Sequence, residues 1–153
     1  MLQLRRGVLS DASAIKALAE AAYLAGDAVF LQYDSSYERI PLAEVKEMIT
    51  HRGVFLVGSG TAHNNGGGTA PSIGVCVFVS TASRSRLTEM SVLAVSPSLQ
   101  GRGLSVLVLD AAFALAKQLG YDQVESDVLA CKPWLLQFYK NNGWSLTGAT
   151  KPW

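Results

Sequence analysis

Apolar positions follow two different periods along this chain. Leu2-Gln3-Leu4-Arg5-Arg6-Gly7-Val8 alternates and predicts an opening strand. Ser10 and Asp11 supply an N-cap for a helix over Ala12 to Ala25, with Gly26 as its stop. A second helix is expected from Pro41 to about His51, with proline in its first turn and Glu44 and Glu47 near its positive end. Val54-Phe55-Leu56-Val57, Ile73 to Val79 and Leu87 to Val95 predict three strands. From Gly103 to Leu119 runs a long helix closed by Gly120, apolar on nearly every face, the pattern of a helix buried against a sheet. Gln123 to Leu129 then predicts a strand, Pro133 to Asn142 a helix ended by Gly143, and Trp144 to Thr147 a short last strand. The order β-α-α-β-β-β-α-β-α-β places the chain in the α/β (α+β) class, a mixed sheet with helices on both faces.

Between the second and third strands, Gly58 to Ser72 reads GSGTAHNNGGGTAPS, which predicts a flexible hairpin tip. Its Gly66-Gly67-Gly68 is followed by no Lys-Ser/Thr pair and no helix pattern, so a phosphate-binding P-loop is rejected. The 153 residues are 49% hydrophobic and 16% charged, which suits one domain over 1–153 with a large core. Thirteen Lys and Arg against twelve Asp and Glu leave +1, too little excess for a general nucleic-acid binder. Two cysteines, Cys76 and Cys131, make no disulfide framework and suit a reducing compartment. No apolar stretch follows the basic start, and the longest apolar run, around Ala111 to Ala116, is broken by Asp110 and Lys117. The expectation is a cytoplasmic protein with no membrane and no nucleic-acid partner.

The chemistry concentrates in Val95-Ser96-Pro97-Ser98-Leu99-Gln100-Gly101-Arg102-Gly103-Leu104-Ser105, between a strand and the start of the long helix. Gly101 and Gly103 let backbone approach a ligand, and the free N–H groups of the helix's first turn suit a pyrophosphate. A dinucleotide fingerprint fails, because Val106 stands where its third glycine belongs. Neither the two histidines nor the carboxylates show metal-ligand spacing, and no metal is expected. Cys76 and Cys131 have no neighbouring histidine base and are read as packing residues.

Three segments in order resemble the GNAT superfamily of acyl-CoA-dependent N-acetyltransferases. Gln100-Gly101-Arg102-Gly103-Leu104-Ser105 is similar to its Gln/Arg-x-x-Gly-x-Gly/Ala loop, with Ser105 in place of the last small residue. Leu93-Ala94-Val95-Ser96-Pro97 is similar to the strand end that pairs with the pantetheine arm. Phe138-Tyr139-Lys140-Asn141-Asn142-Gly143-Trp144 is similar to its Phe-Tyr-x-x-x-Gly-Phe signature.

The resemblance implies a mainly antiparallel sheet and acetyl-CoA as cosubstrate, held by Val92, Leu93, Ala94, Val95 and the loop Gln100 to Ser105. Lys132 stands where many relatives carry an Asn toward the cofactor. A backbone N–H near Val92 or Leu93 would hold the thioester carbonyl, an oxyanion-type contribution. Tyr139 would be the general acid for the departing sulfur. Glu89, the one acid in its strand, on a face with Ser91 and Leu93, would be the base. Trp134 and Trp144 would cover the core near the cofactor. Acidic and aromatic residues between 21 and 51, Tyr23, Phe30, Tyr33, Tyr37 and Glu44 among them, would border a small-molecule or peptide amine. The alternative is a non-catalytic acyl-CoA-binding or sensing module. With Pro152 near the end, the closing strand is expected to be missing, which leaves the Gln123 to Leu129 strand an open side and a possible homodimer.

Overall fold

The structure, a computed structural model, describes residues 3–30, 39–59, 73–128 and 132–148. Its strands are β1 (Leu4–Arg6), β2 (Gly53–Ser59), β3 (Ile73–Ser80), β4 (Leu87–Val95) and β5 (Gln123–Glu125), and they lie side by side in chain order. Pairs β1 to β4 are antiparallel and β5 runs parallel to β4. Among the described residues four α-helices, α1 (Ala12–Phe30), α2 (Leu42–Glu47), α3 (Leu104–Gln118) and α4 (Pro133–Asn141), cover the sheet.

Alternation along the strands decides which helix each residue meets. Phe55 and Val57 of β2 and Cys76 and Phe78 of β3 bury against Ile15, Leu18 and Ala19 of α1 and Val45 of α2. Their neighbours Leu56, Val75, Val77 and Val79 bury against Val108, Leu109, Ala112 and Leu115 of α3 and Tyr139 of α4. The mainly antiparallel sheet with helices on both faces is therefore present as expected.

Several boundaries differ from the sequence reading. Helix α1 passes through Gly26 and reaches Phe30. A single glycine costs a helix about 1 kcal/mol against alanine, too little to stop one already nucleated by good formers. Asp11 does not cap α1 forwards. Its carboxylate accepts the Val8 N–H at 2.7 Å and both Arg5 guanidinium nitrogens at 2.8 and 2.9 Å, closing the turn Leu9–Asp11. Pro41 stands just outside α2, which continues as a π turn over Met48–Arg52.

Helix α3 is not buried all round, since Leu107 is 51% and Phe113 37% exposed. Strand β2 extends to Ser59, so Gly58 and Ser59 belong to the sheet, and the remainder of the expected flexible tip lies outside the described residues. Strand β5 stops at Glu125 instead of Leu129, and no strand forms over 144–148. Gly143, at φ 89°, turns the chain so that Trp144 packs on Phe113 and Tyr139, at ring separations of 5.4 and 5.0 Å. Among the described residues β5 pairs with β4 alone, no helix is long and apolar enough to cross a membrane, and no three ligands group for a metal.

Candidate active site

Strands β4 and β5 pair only as far as Glu89 opposite Glu125. Beyond that point β4 continues to Val95 while the chain after β5 turns away. A cleft of about 600 Å³ opens between them, walled by Met90 to Val95, by Ser126 to Val128 and by the near side of α4.

On its other edge β4 carries a bulge. Phe78 of β3 faces Ser91, but Cys76 faces Ala94, so β4 has one residue more than β3 over this stretch. The extra residue puts Val92 at φ 52°. A β-branched side chain is disfavoured there by about 1–3 kcal/mol. The Cys76 thiol donates to the Val92 carbonyl at 3.4 Å, and the N–H of Ala94, its partner across the ladder, favours the ionised sulfur. Burial outweighs that N–H and pushes the thiol up to about 12, so it stays a donor. The Tyr23 phenol, from α1, donates to the Leu93 carbonyl. The bulge also corrects the expected face. Glu89 and Ser91 look toward α2, whereas Leu93 packs with the α3 side.

The glycine loop follows. Gln100 donates its amide to the Val95 carbonyl at 3.1 Å, fastening the loop to the end of β4. Gly101 and Gly103 sit at φ 82° and 73°, and a Cβ at either would meet nothing within 4 Å. Conformation, not crowding, requires glycine at both. Gly103 is the N-cap of α3 and no side chain caps it, so the first-turn N–H groups of this 15-residue helix are left for a ligand. Gln100 and Ser105 line the cleft, Gly101, Arg102 and Gly103 are exposed, and Leu104 packs partly against the α3-side core. Two left-handed glycines before an uncapped helix fit a pyrophosphate.

Tyr139 lies at the cleft wall, 8% exposed, with its ring edge-on to Phe138 and Trp144. Burial raises its phenol above the ordinary tyrosine value, and the Ser126 hydroxyl pulls it partly back. Glu89 is exposed and stands where the cleft meets a smaller groove of about 280 Å³ lined by Glu44, Met48 and Arg52. Lys132 is buried at the start of α4, with its ammonium 5.6 Å from the centre of the Tyr23 ring. The Arg39 guanidinium lies 4.6 Å from the same ring.

Of the residues expected at the site, Glu89, Val92, Leu93, Ala94, Val95, Gln100, Ser105, Lys132 and Tyr139 are brought to one cleft. Trp134 is there too, 55% exposed, whereas Trp144 does not line the cleft and packs half-buried against the α3-side core. The acids Glu44 and Glu47 pair with Arg52, at 3.6 and 3.1 Å. Tyr33, Tyr37 and Cys131 lie outside the described residues. Ser126, Asp127 and Arg39 were not anticipated as lining residues. The only sequence sign of the first two was polarity within a segment read as strand.

The sequence matches the Acetyltransferase (GNAT) family over residues 23–144, and the chain belongs to that family. Among solved structures, a Bacillus halodurans protein is 16% identical with a TM-score of 0.71, covering 99% of this chain and 98% of that one. A Trypanosoma brucei acetyltransferase is 19% identical at TM-score 0.66, covering 100% and 99%. The aminoglycoside N-acetyltransferase AAC(6')-Iy, solved with the bisubstrate analogue CoA-S-monomethyl-acetylneamine, is 11% identical at TM-score 0.70, covering 100% and 97%. A search of curated proteins gave no match. Family and fold together support acyltransferase activity.

Proposed function

We propose that this protein transfers the acetyl group of acetyl-CoA to a primary amine of a small molecule or peptide, by direct attack in a ternary complex. The observation that carries the reading is the splay of β4 from β5. It gathers the strained bulge, the Gln100 to Ser105 loop and the Tyr139 side chain about one cleft. Coenzyme A in the complexed aminoglycoside enzyme, a structure of the same fold, supports the choice of cosubstrate.

In this reading the N–H groups at the start of α3 take the pyrophosphate, with Arg102 at the rim, and the edge of β4 from Val92 to Val95 takes the arm. The neutral amine attacks the thioester carbon, a C–N bond forms, and the carbonyl oxygen gains charge facing a bulge N–H. The C–S bond then breaks and Tyr139 gives the sulfur its proton. Glu89 receives the proton lost by the amine, through water. Burial holds the phenol above the ordinary tyrosine value and makes it a weaker acid, so the Ser126 hydroxyl, which favours the phenolate, works in the forward direction.

The test is thiol release from acetyl-CoA in the presence of an amine panel, alongside the shift in melting temperature with coenzyme A alone. Amine-dependent release establishes the transferase. A thermal shift with no release for any amine would favour the coenzyme-binding or sensing module instead.

A further inference from the structure

We propose that Tyr23 and Cys76 are positioning residues that lock the β4 bulge so that one N–H, that of Leu93, faces the thioester. This rests on the transferase reading above. The argument starts from the planar trans peptide, in which C=O and N–H point in opposite directions. The Val92 carbonyl and the Leu93 N–H share one such plane. The thiol that holds that carbonyl belongs to β3, so the Leu93 N–H is turned away from β3, toward the side where β5 has left.

In the next plane the order reverses. The Ser96 N–H donates to the Gly74 carbonyl beside β3 at 2.7 Å, and Ala94, two residues back and paired with Cys76, turns its N–H to the same side, so the Leu93 carbonyl points to the cleft side, and there Tyr23 donates to it. Without that phenol, a bare carbonyl oxygen would stand beside the donor meant for an oxyanion and would repel it. Cys76 is wholly buried, and water cannot replace its S–H. Arg39 and Lys132, both close to the Tyr23 ring, fix the plane from which its hydroxyl reaches the bulge. Cys76 does not line the cleft, and both residues act through the backbone they hold.

The experiment compares Tyr23→Phe, Cys76→Ala, Cys76→Ser and the Tyr23→Phe/Cys76→Ala pair in the full chain. It reads kcat, coenzyme A affinity by calorimetry, and amide hydrogen exchange at Ala94. The first two substitutions should each lower kcat about tenfold while coenzyme A affinity stays within about twofold. Exchange at Ala94 should quicken by about tenfold or more, with core amides elsewhere unchanged. Cys76→Ser, which keeps a donor, should recover much of the loss.

Unchanged kcat and unchanged exchange in the double variant would overturn the proposal. So would equal losses of turnover and coenzyme affinity that follow a fall in melting temperature, the mark of a merely structural role. If the native protein released no thiol with any amine, the transferase reading would be the one to fall, and exchange at Ala94 would still decide whether the lock exists.

Discussion

Tyr139 combines two opposed effects in one side chain. Its burial keeps the proton on the phenol and Ser126 favours the phenolate, and in the proposed reaction the second effect eases transfer to the sulfur. Tyr139→Phe should therefore lower kcat on the order of 10²-fold with little change in coenzyme A affinity, as single-turnover kinetics and calorimetry would show. Ser126→Ala should act in the same direction but more weakly, and retained full turnover in both would make Tyr139 a packing residue. Cys76 has a pH consequence of its own. Burial pushes the folded thiol from the ordinary 9.0 up to about 12, so above pH 9 the unfolded chain holds fewer protons. Stability is fully present below pH 9 and is lost as pH rises toward 12, by up to about 4 kcal/mol from this group. Urea unfolding from pH 8 to 11 should show a steeper loss in the native protein than in Cys76→Ala.

At the scale of elements, two glycines make opposite demands. Gly103 faces open space but sits at φ 73°, so Gly103→Glu should cost about 1–2 kcal/mol of stability through its left-handed backbone and weaken coenzyme A binding at least tenfold or so, through the carboxylate it sets at the helix N-terminus. Gly53 meets the sheet at its tightest point, where a Cβ would come within 2.3 Å of the Val79 carbonyl oxygen and 2.9 Å of Ser80 Cα. Gly53→Ala should cost about 2–3 kcal/mol in chemical denaturation with the cleft chemistry intact. The first of these glycines was legible in the sequence and the second was not. Gln100 to Ser105 carries its geometry locally, in residue types that tolerate left-handed backbone beside a helix start. Gly53 owes its role to a neighbour on β3, and Tyr23 meets a carbonyl 70 positions away. Such meetings have no period to read. The end of β5 was partly legible: Glu125, Ser126 and Asp127 are three polar residues in a row, a break in the strand period, and the divergence from β4 takes the last two out of the ladder.

For the whole molecule, the sheet has a strongly paired centre and a weakly paired side. Among the described residues β5 offers three positions and one partner. A second copy pairing along it should appear as a doubled mass in light scattering that grows with concentration. It should also strengthen with salt, because Glu125 on each copy would repel the other. A single-chain mass at every concentration would remove the homodimer expected from the sequence. The α3 entrance has a further consequence, for inhibition. A molecule gripped by main-chain N–H groups after Gly103 is gripped by atoms that nearly every residue type supplies, so substitutions there other than proline leave the donors in place. Escape from a bisubstrate inhibitor should therefore arise elsewhere on the cleft wall, at side chains such as Trp134 and Leu135 of α4. At the α3 entrance a change that repels the compound's phosphates, such as Gly103→Glu, would weaken coenzyme A as well, so a compound confined there would leave the protein few ways to evolve around it.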